Sequence, residues 1–265
     1  MSYFKDKIVW ITGASSGIGE ALAHEFAKRQ SRLVLSARRV AELERVKNDL
    51  GLQDDAVLVL PLDLTNYAQM EDKVAQVMGH FGRIDVLINN GGISQRSLVK
   101  DTDISVYERL INVNYLGTVA ISKAVLKVFL QQGSGQFGVV TSLMGKFSAP
   151  LRSGYCGAKH ALHGFFDSLR MEYEKEHIKV NLICPGFIQT NISKNALLAD
   201  GSAQNTMDDA TDKGMSAEEC AQRIAEALRK NRFETIMGGK ETFAVYIKRL
   251  SPRLLHRIVS KAKVT

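Results

Sequence analysis

Two side chains with complementary ionisation stand four residues apart in Tyr155-Cys156-Gly157-Ala158-Lys159. In a helix, residues at this spacing lie one above the other on one face, so an ammonium is expected beside a phenol. A free phenol, with a pKa of about 10, is a poor proton donor or acceptor at neutral pH, and a close positive charge favours its phenolate by about 1–3 units. Such a pair can do acid/base work on an oxygen. Upstream, Ser142 ends the apolar run Phe137 to Thr141 and could hydrogen-bond the same oxygen. Taken singly, the pair is two neighbours on a helix and the serine a strand-end turn residue, so their weight depends on the elements that position them.

The first of these elements is Ile8-Val9-Trp10-Ile11, a short apolar strand running into Thr12-Gly13-Ala14-Ser15-Ser16-Gly17-Ile18-Gly19. Ala21, Leu22, Phe26 and Ala27 then repeat at helical spacing. Strand, glycine-rich turn and helix form a site where backbone N–H groups and a helix N-terminus meet a phosphate, which points to a dinucleotide. The next strand, residues 32–37, ends in Arg38-Arg39 where an NAD site would carry an acid, and a guanidinium there favours NADP(H) over NAD(H). Gly13-Ala14-Ser15-Ser16-Gly17 also fits the G-x-S-x-G elbow of a serine hydrolase. That alternative needs a late histidine in a loop after a strand, and His177 and His256 do not read as such.

Further strands follow at 56–60, before Asp63-Leu64, at 86–88, before Asn89-Asn90-Gly91-Gly92, and at 137–141, 180–184 and 235–237. Between them lie helical patterns at 67–81, at 104–130, which contains Asn114, and from Tyr155 to about Glu176. Strands alternating with helices predict an α/β domain with a doubly wound parallel sheet, whose ligands sit beyond the carboxyl ends of the strands. Every motif quoted above falls at such an end.

In this order the motifs resemble the short-chain dehydrogenase/reductase family, in its single-domain branch, over residues 6 to about 240. The resemblance implies a Rossmann-type sheet of about seven strands and an NADP(H)-dependent carbonyl/alcohol oxidoreductase. It implies Tyr155 as acid/base, Lys159 lowering its pKa and binding the nicotinamide ribose, Ser142 on the substrate oxygen, and Asn114 holding a relay water. The cofactor residues it implies are Gly13, Ser15, Ser16, Gly17, Ile18, Gly19, Arg38, Arg39, Asp63, Leu64, Asn90, Gly91 and Gly92, with Tyr155, Lys159, Pro185, Gly186, Ile188 and Thr190. It also implies a homodimer or homotetramer built on the helices near 104–130 and 155–176. One departure is Gly91, where the family has alanine; the missing methyl is expected to loosen that loop. A cofactor-binding scaffold without turnover is the other alternative, disfavoured by the intact Ser-Tyr-Lys set.

The net charge of +7 is confined to one end: residues 242–265 hold six Lys/Arg and no acid, leaving 29 basic against 28 acidic residues elsewhere. No nucleic-acid partner is expected. Three dispersed cysteines, no apolar run of membrane-spanning length and no signal-peptide pattern give a cytoplasmic expectation. His160 and His163 have no companion ligands at metal-binding spacing, and packing at a surface or interface is expected of them. The polar stretch 191–215 is read as a lid, followed by a helix capped at Ser216-Ala217-Glu218-Glu219. Residues 1–240 then form the catalytic domain, and 241–265 a basic amphipathic tail of the same domain. Phe243, Ile247, Leu250, Leu254 and Ile258 make an apolar stripe there, with Ser251-Pro252 restarting a second helix. The stripe is expected to pack over the substrate mouth or a partner subunit, or to rest peripherally on a membrane surface, which would favour a lipophilic substrate.

Overall fold

The apolar strands read as continuous runs because each is buried on both faces. In β1 (Ile8–Thr12), Val9 and Ile11 enter one core while Ile8 and Trp10 enter another. The computed structural model describes residues 3–261, so Lys263 at the end of the basic tail lies outside the described residues. The remaining strands are β2 (Arg32–Ser36), β3 (Val57–Val59), β4 (Val86–Asn89), β5 (Gly135–Val140), β6 (Ile178–Pro185) and β7 (Glu234–Met237). All are parallel, in the order β3-β2-β1-β4-β5-β6-β7. The chain therefore winds outward in both directions from β1 and β4, and a crevice opens where the loops after these two strands diverge.

Helices cover both faces. The helices are α1 (Gly17–Lys28), α2 (Val40–Leu50), α3 (Met70–Phe81), α4 (Ile104–Ile111), α5 (Gly117–Gln132), α6 (Ser153–Glu172), a short α7 (Asp209–Asp212) and α8 (Ala217–Arg229). Leu22 and Phe26 of α1, Leu43 of α2 and Ile224 and Leu228 of α8 share one core. Val74 of α3, Val125 and Phe129 of α5 and Phe166 of α6 build the other. The pattern expected at 104–130 is one long helix, and residues 104–132 are indeed continuously helical, but Asn112–Leu116 form a wide π turn between α4 and α5. By length and composition this helix could cross a membrane; here it packs against α3 and α6 as a core helix.

The tail forms α9 (Phe243–Leu250) and α10 (Pro252–Val259), with Ser251 accepting the Leu254 N–H and Pro252 opening the second helix as the sequence indicates. The apolar stripe is only partly buried. Ala244, Val245, Ile247, Leu255 and Val259 pack on Leu143, Phe147 and Cys184, whereas Phe243 and Leu250 are 65% and 87% exposed. The break at Ser251 re-aims α10, so a stripe counted straight through both helices does not follow one face.

Candidate active site

A cleft of about 580 Å³ opens at the crevice between β1 and β4. Gly13, Ser15, Ser16, Gly17, Ile18, Arg38, Arg39, Asp63, Leu64, Asn90, Gly91, Gly92 and Thr190 all line it. Gly19 does not; it is buried behind the turn, where a Cβ would stand 2.0 Å from the Gly13 carbonyl oxygen. Gly13 has φ +67°, and a Cβ there would meet Gly91 Cα at 2.8 Å. The turn is thus pressed onto the loop after β4, and the two are tied: Asn90 Nδ2 donates to the Thr12 and Gly13 carbonyls, while Thr12 Oγ1 accepts from Asn90 N and Gly91 N at 3.0 Å. The loop is therefore not loosened by Gly91. Leu64 occupies the space, its Cδ1 2.9 Å from where an alanine methyl would be. The Asp63 carboxyl is held below its ordinary pKa by hydrogen bonding to the Thr65 backbone, with a smaller contribution from the Arg38 charge.

A second cavity, of about 340 Å³, adjoins the cleft and shares Ile18, Asn90, Gly92 and Thr190 with it. Ser142, Tyr155, Lys159, Pro185, Gly186 and Ile188 line it, as do the tail residues Ala244, Ile258 and Val259. Ser142 leaves β5 in an extended conformation, accepts from Met144 N at 3.1 Å and lies within hydrogen-bonding reach of Tyr155. Burial pushes the Tyr155 phenol above its ordinary pKa; the Ser142 hydrogen bond and the charges of Arg96 and Arg152 pull the other way. Lys159 Nζ lies over the Tyr155 ring, 5.8 Å from its centre, and donates to the Val140 carbonyl at 2.8 Å, and burial lowers its pKa to about 8. Asn114 lies behind Gly92 in the π turn, where its amide exchanges two 2.8 Å hydrogen bonds with the backbone of Ile93. Such wide turns recur at functional sites because they change the direction of a helix without ending it.

Residues 191–215 do not form a free loop. Leu197 bridges to Gln95 and to Ala203, Ile188 bridges to Met215, and Asn191, Asn195 and Leu197 also line the cleft. Asp208, 2% exposed, takes Arg96 at 2.5 Å and Arg152 at 3.2 Å on one carboxylate oxygen. Neither Arg152 nor Asp208 stands out in the sequence. The one available signal was a basic residue at the N-cap of α6, where the helix dipole disfavours positive charge. His163 is buried rather than at a surface: burial, then the Lys146 charge, lowers its pKa to about 4 and keeps it neutral. Among the described residues, no three His, Cys, Asp or Glu side chains gather as metal ligands. The hydrolase alternative fails on the same geometry, since among the described residues no histidine lines the cleft beside Ser15.

A doubly wound sheet with a glycine turn at its switch point makes this a Rossmann-type dinucleotide-binding fold. Residues 7–200 match the short chain dehydrogenase family model, and the chain belongs to the short-chain dehydrogenase/reductase family. It is 41% identical over 263 residues to a Drosophila melanogaster "Dehydrogenase/reductase SDR family protein 7-like", a match covering 97% of this chain and 81% of that one. It is 50% identical over 200 residues to the human "Dehydrogenase/reductase SDR family member 7", covering 74% of this chain and 59% of the relative. Among solved structures, a Burkholderia phymatum short-chain dehydrogenase/reductase in complex with NAD shares the fold, with TM-score 0.85, 23% identity and 96% coverage of both chains.

The packing at the turn separates two small substitutions. Gly19→Ala is expected to weaken nicotinamide dinucleotide binding by tenfold or more, the equivalent of about 1.4 kcal/mol. Gly91→Ala needs only the end of Leu64 to move, and its dissociation constant, read by calorimetric titration, is expected to stay close to the parent's.

Proposed function

We propose that this protein is an NADP(H)-dependent oxidoreductase that interconverts a carbonyl and a secondary alcohol on a lipophilic substrate. The observation that carries this reading is the meeting of two spaces. A largely apolar cavity holding Tyr155, Ser142 and Lys159 shares a wall with the dinucleotide cleft, and a Cβ on the shared Gly92 would come within 3.7 Å of Lys159 Nζ.

The cleft fits a dinucleotide: the glycine turn leaves room for backbone N–H groups and the α1 N-terminus to face a phosphate. When bound, the nicotinamide cofactor supplies or accepts the hydride. Tyr155 donates its proton to the carbonyl oxygen during reduction and recovers it during oxidation, which is worth about 10²–10⁴-fold. Ser142 hydrogen-bonds the same oxygen and offsets the negative charge that develops on it. Lys159 holds the ribose and replenishes the proton. Because the Asn114 side chain is committed to Ile93, its backbone carbonyl, which also accepts from Thr118 Oγ1, is the group that would hold the relay water.

Arg38 and Arg39 support NADP(H). They line the cleft where β2 ends, and Asp63 is the only acid lining it among the described residues. A carboxylate at the strand end would repel a 2′-phosphate, whereas a guanidinium binds it bidentately. The outer faces of α5 and α6, with the partly exposed Tyr115 and Phe165 in edge-to-face contact, are proposed to pair copies into a homodimer or homotetramer. The tail supports a peripheral membrane contact. Phe243, Tyr246, Leu250, Leu254 and Ile258 are exposed among Lys248, Arg249, Arg253 and Arg257, and Ile258 also lines the cavity, so a lipophilic substrate would enter from that surface.

NADPH oxidation with a panel of ketones, aldehydes and quinones tests the activity: Tyr155→Phe is expected to abolish turnover while NADPH still binds, and near-normal turnover would overturn the mechanism. On the same panel Arg38→Ala is expected to cost about 10–100-fold in kcat/KM for NADPH and little for NADH, matching the ~1.5–3 kcal/mol of a hydrogen bond to a charged group. In cosedimentation with phosphatidylserine vesicles, exchanging Arg249, Arg253 and Arg257 together for Glu is expected to weaken partitioning by about a hundredfold or more, at ~1 kcal/mol per basic residue. Equal partitioning would remove the membrane contact.

A further inference from the structure

Two arginines of the cavity wall are buried together with an aspartate, and the mechanism above uses none of the three charges. The side chains of Arg96, Arg152 and Asp208 are 6%, 5% and 1% exposed. Arg96 directs Nε (2.8 Å) and Nη2 (2.5 Å) at Asp208 Oδ2, and Arg152 Nη2 donates to the same oxygen. Arg96 Nη1 is fixed by Ser94 Oγ and the Gln95 carbonyl, and Asp208 Oδ1 accepts from Gln204. The three residues come from separate parts of the chain: the loop after β4, the N-cap of α6 and the 191–215 segment.

Stability does not account for the cluster. Each buried ion costs several kcal/mol in lost hydration, and a well-packed apolar trio would often be as stable or more so. Arg152 also sits at the positive end of the α6 dipole. What the cluster does have is position. Arg96 and Arg152 line the cavity with Tyr155, and Arg152 lies one turn before it on the same helix. In a site shielded from water, a phenol responds strongly to such charges.

We infer that Asp208 is a positioning residue for the acid/base step: it fixes two guanidiniums in the cavity wall that Tyr155 shares and sets the net charge the phenol experiences. The inference rests on the reading of Tyr155 as the acid/base group. Burial alone would raise the Asp208 carboxyl, but hydrogen bonds from Arg96 and Gln204 with both guanidinium charges outweigh it and keep it ionised. Opposing burial, Arg96 and Arg152 each favour the Tyr155 phenolate. The other charged or titratable groups around the phenol are Lys159 and Cys156 on its own helix and Glu241, at the start of the tail, in the same cavity wall. None of these belongs to the 191–215 segment. Seating that segment therefore sets one negative charge against the two wall arginines and fixes them at once.

The test is a near-ultraviolet tyrosinate titration of the intact protein, from which the curve of the matching Tyr155→Phe protein is subtracted to isolate Tyr155. Asp208→Asn adds one net positive charge to the cluster, and the Tyr155 midpoint is expected to fall by about 1 unit or more. Arg96→Met removes a positive charge, and the midpoint is expected to rise; Asp208→Glu is expected to restore the parent curve. A purely structural latch would weaken both variants without moving the midpoint in opposite directions, and that result overturns the inference. If Asp208→Asn does not fold, the Arg96→Met curve decides alone: an unmoved or lowered midpoint is refuting. Failure of the underlying reading is seen separately, as turnover by Tyr155→Phe.

Discussion

The site depends on the seam where the loop after β1 is pressed against the loop after β4. Gly13 and Gly19 leave no room there for side chains, and Thr12 and Asn90 stitch the two loops with four hydrogen bonds. This seam joins the two halves of the sheet at its carboxyl edge. It fixes the floor of the cleft, and through Gly92 it sets the distance between that floor and Lys159. Two adjoining spaces follow from it, one lined by the glycine turn and the other by Ser142, Tyr155 and Lys159.

Burial governs the chemistry available in the second space. A phenol and an ammonium withdrawn from water shift in opposite directions, Tyr155 upward and Lys159 down to about 8, because each loses hydration of its charged form. From nearly equal ordinary values the two ionisations move apart, which makes the Lys159 ammonium the stronger acid and able to return a proton to a Tyr155 phenolate. The Val140 carbonyl anchors Lys159, and two arginines share the cavity wall with the phenol, Arg152 from one turn earlier on α6 and Arg96 from the loop after β4. The cavity roof has a related economy: α9 and α10 cover Leu143 and Phe147 with one face and leave a basic, apolar face outward.

Much of this was legible in the residues. Doubly buried strands such as Ile8-Val9-Trp10-Ile11, the turn to Gly19, the caps at Ser216 and Ser251-Pro252, and the strand ends carrying Asn90 and Ser142 all fall where local pattern puts them. Local rules suffice because they act within a few residues along the chain. The tail stripe was only partly legible because helical spacing gives a period but not an orientation, and Ser251 reorients the second helix. The π turn at Asn114 left no mark in the apolar pattern, which runs unbroken from 104 to 132.

The sequence by itself determined the order of strands and helices, the glycine turn and the Tyr155-Lys159 spacing, since each is set by backbone preferences and apolar periodicity. Only the tertiary structure decided that Lys159 reaches Val140, that Leu64 fills the space beside Gly91, and that Arg96, Arg152 and Asp208 share one buried oxygen. Those contacts join segments up to 112 residues apart. Their energies depend on distance and dielectric, and neither exists until the chain has closed around them.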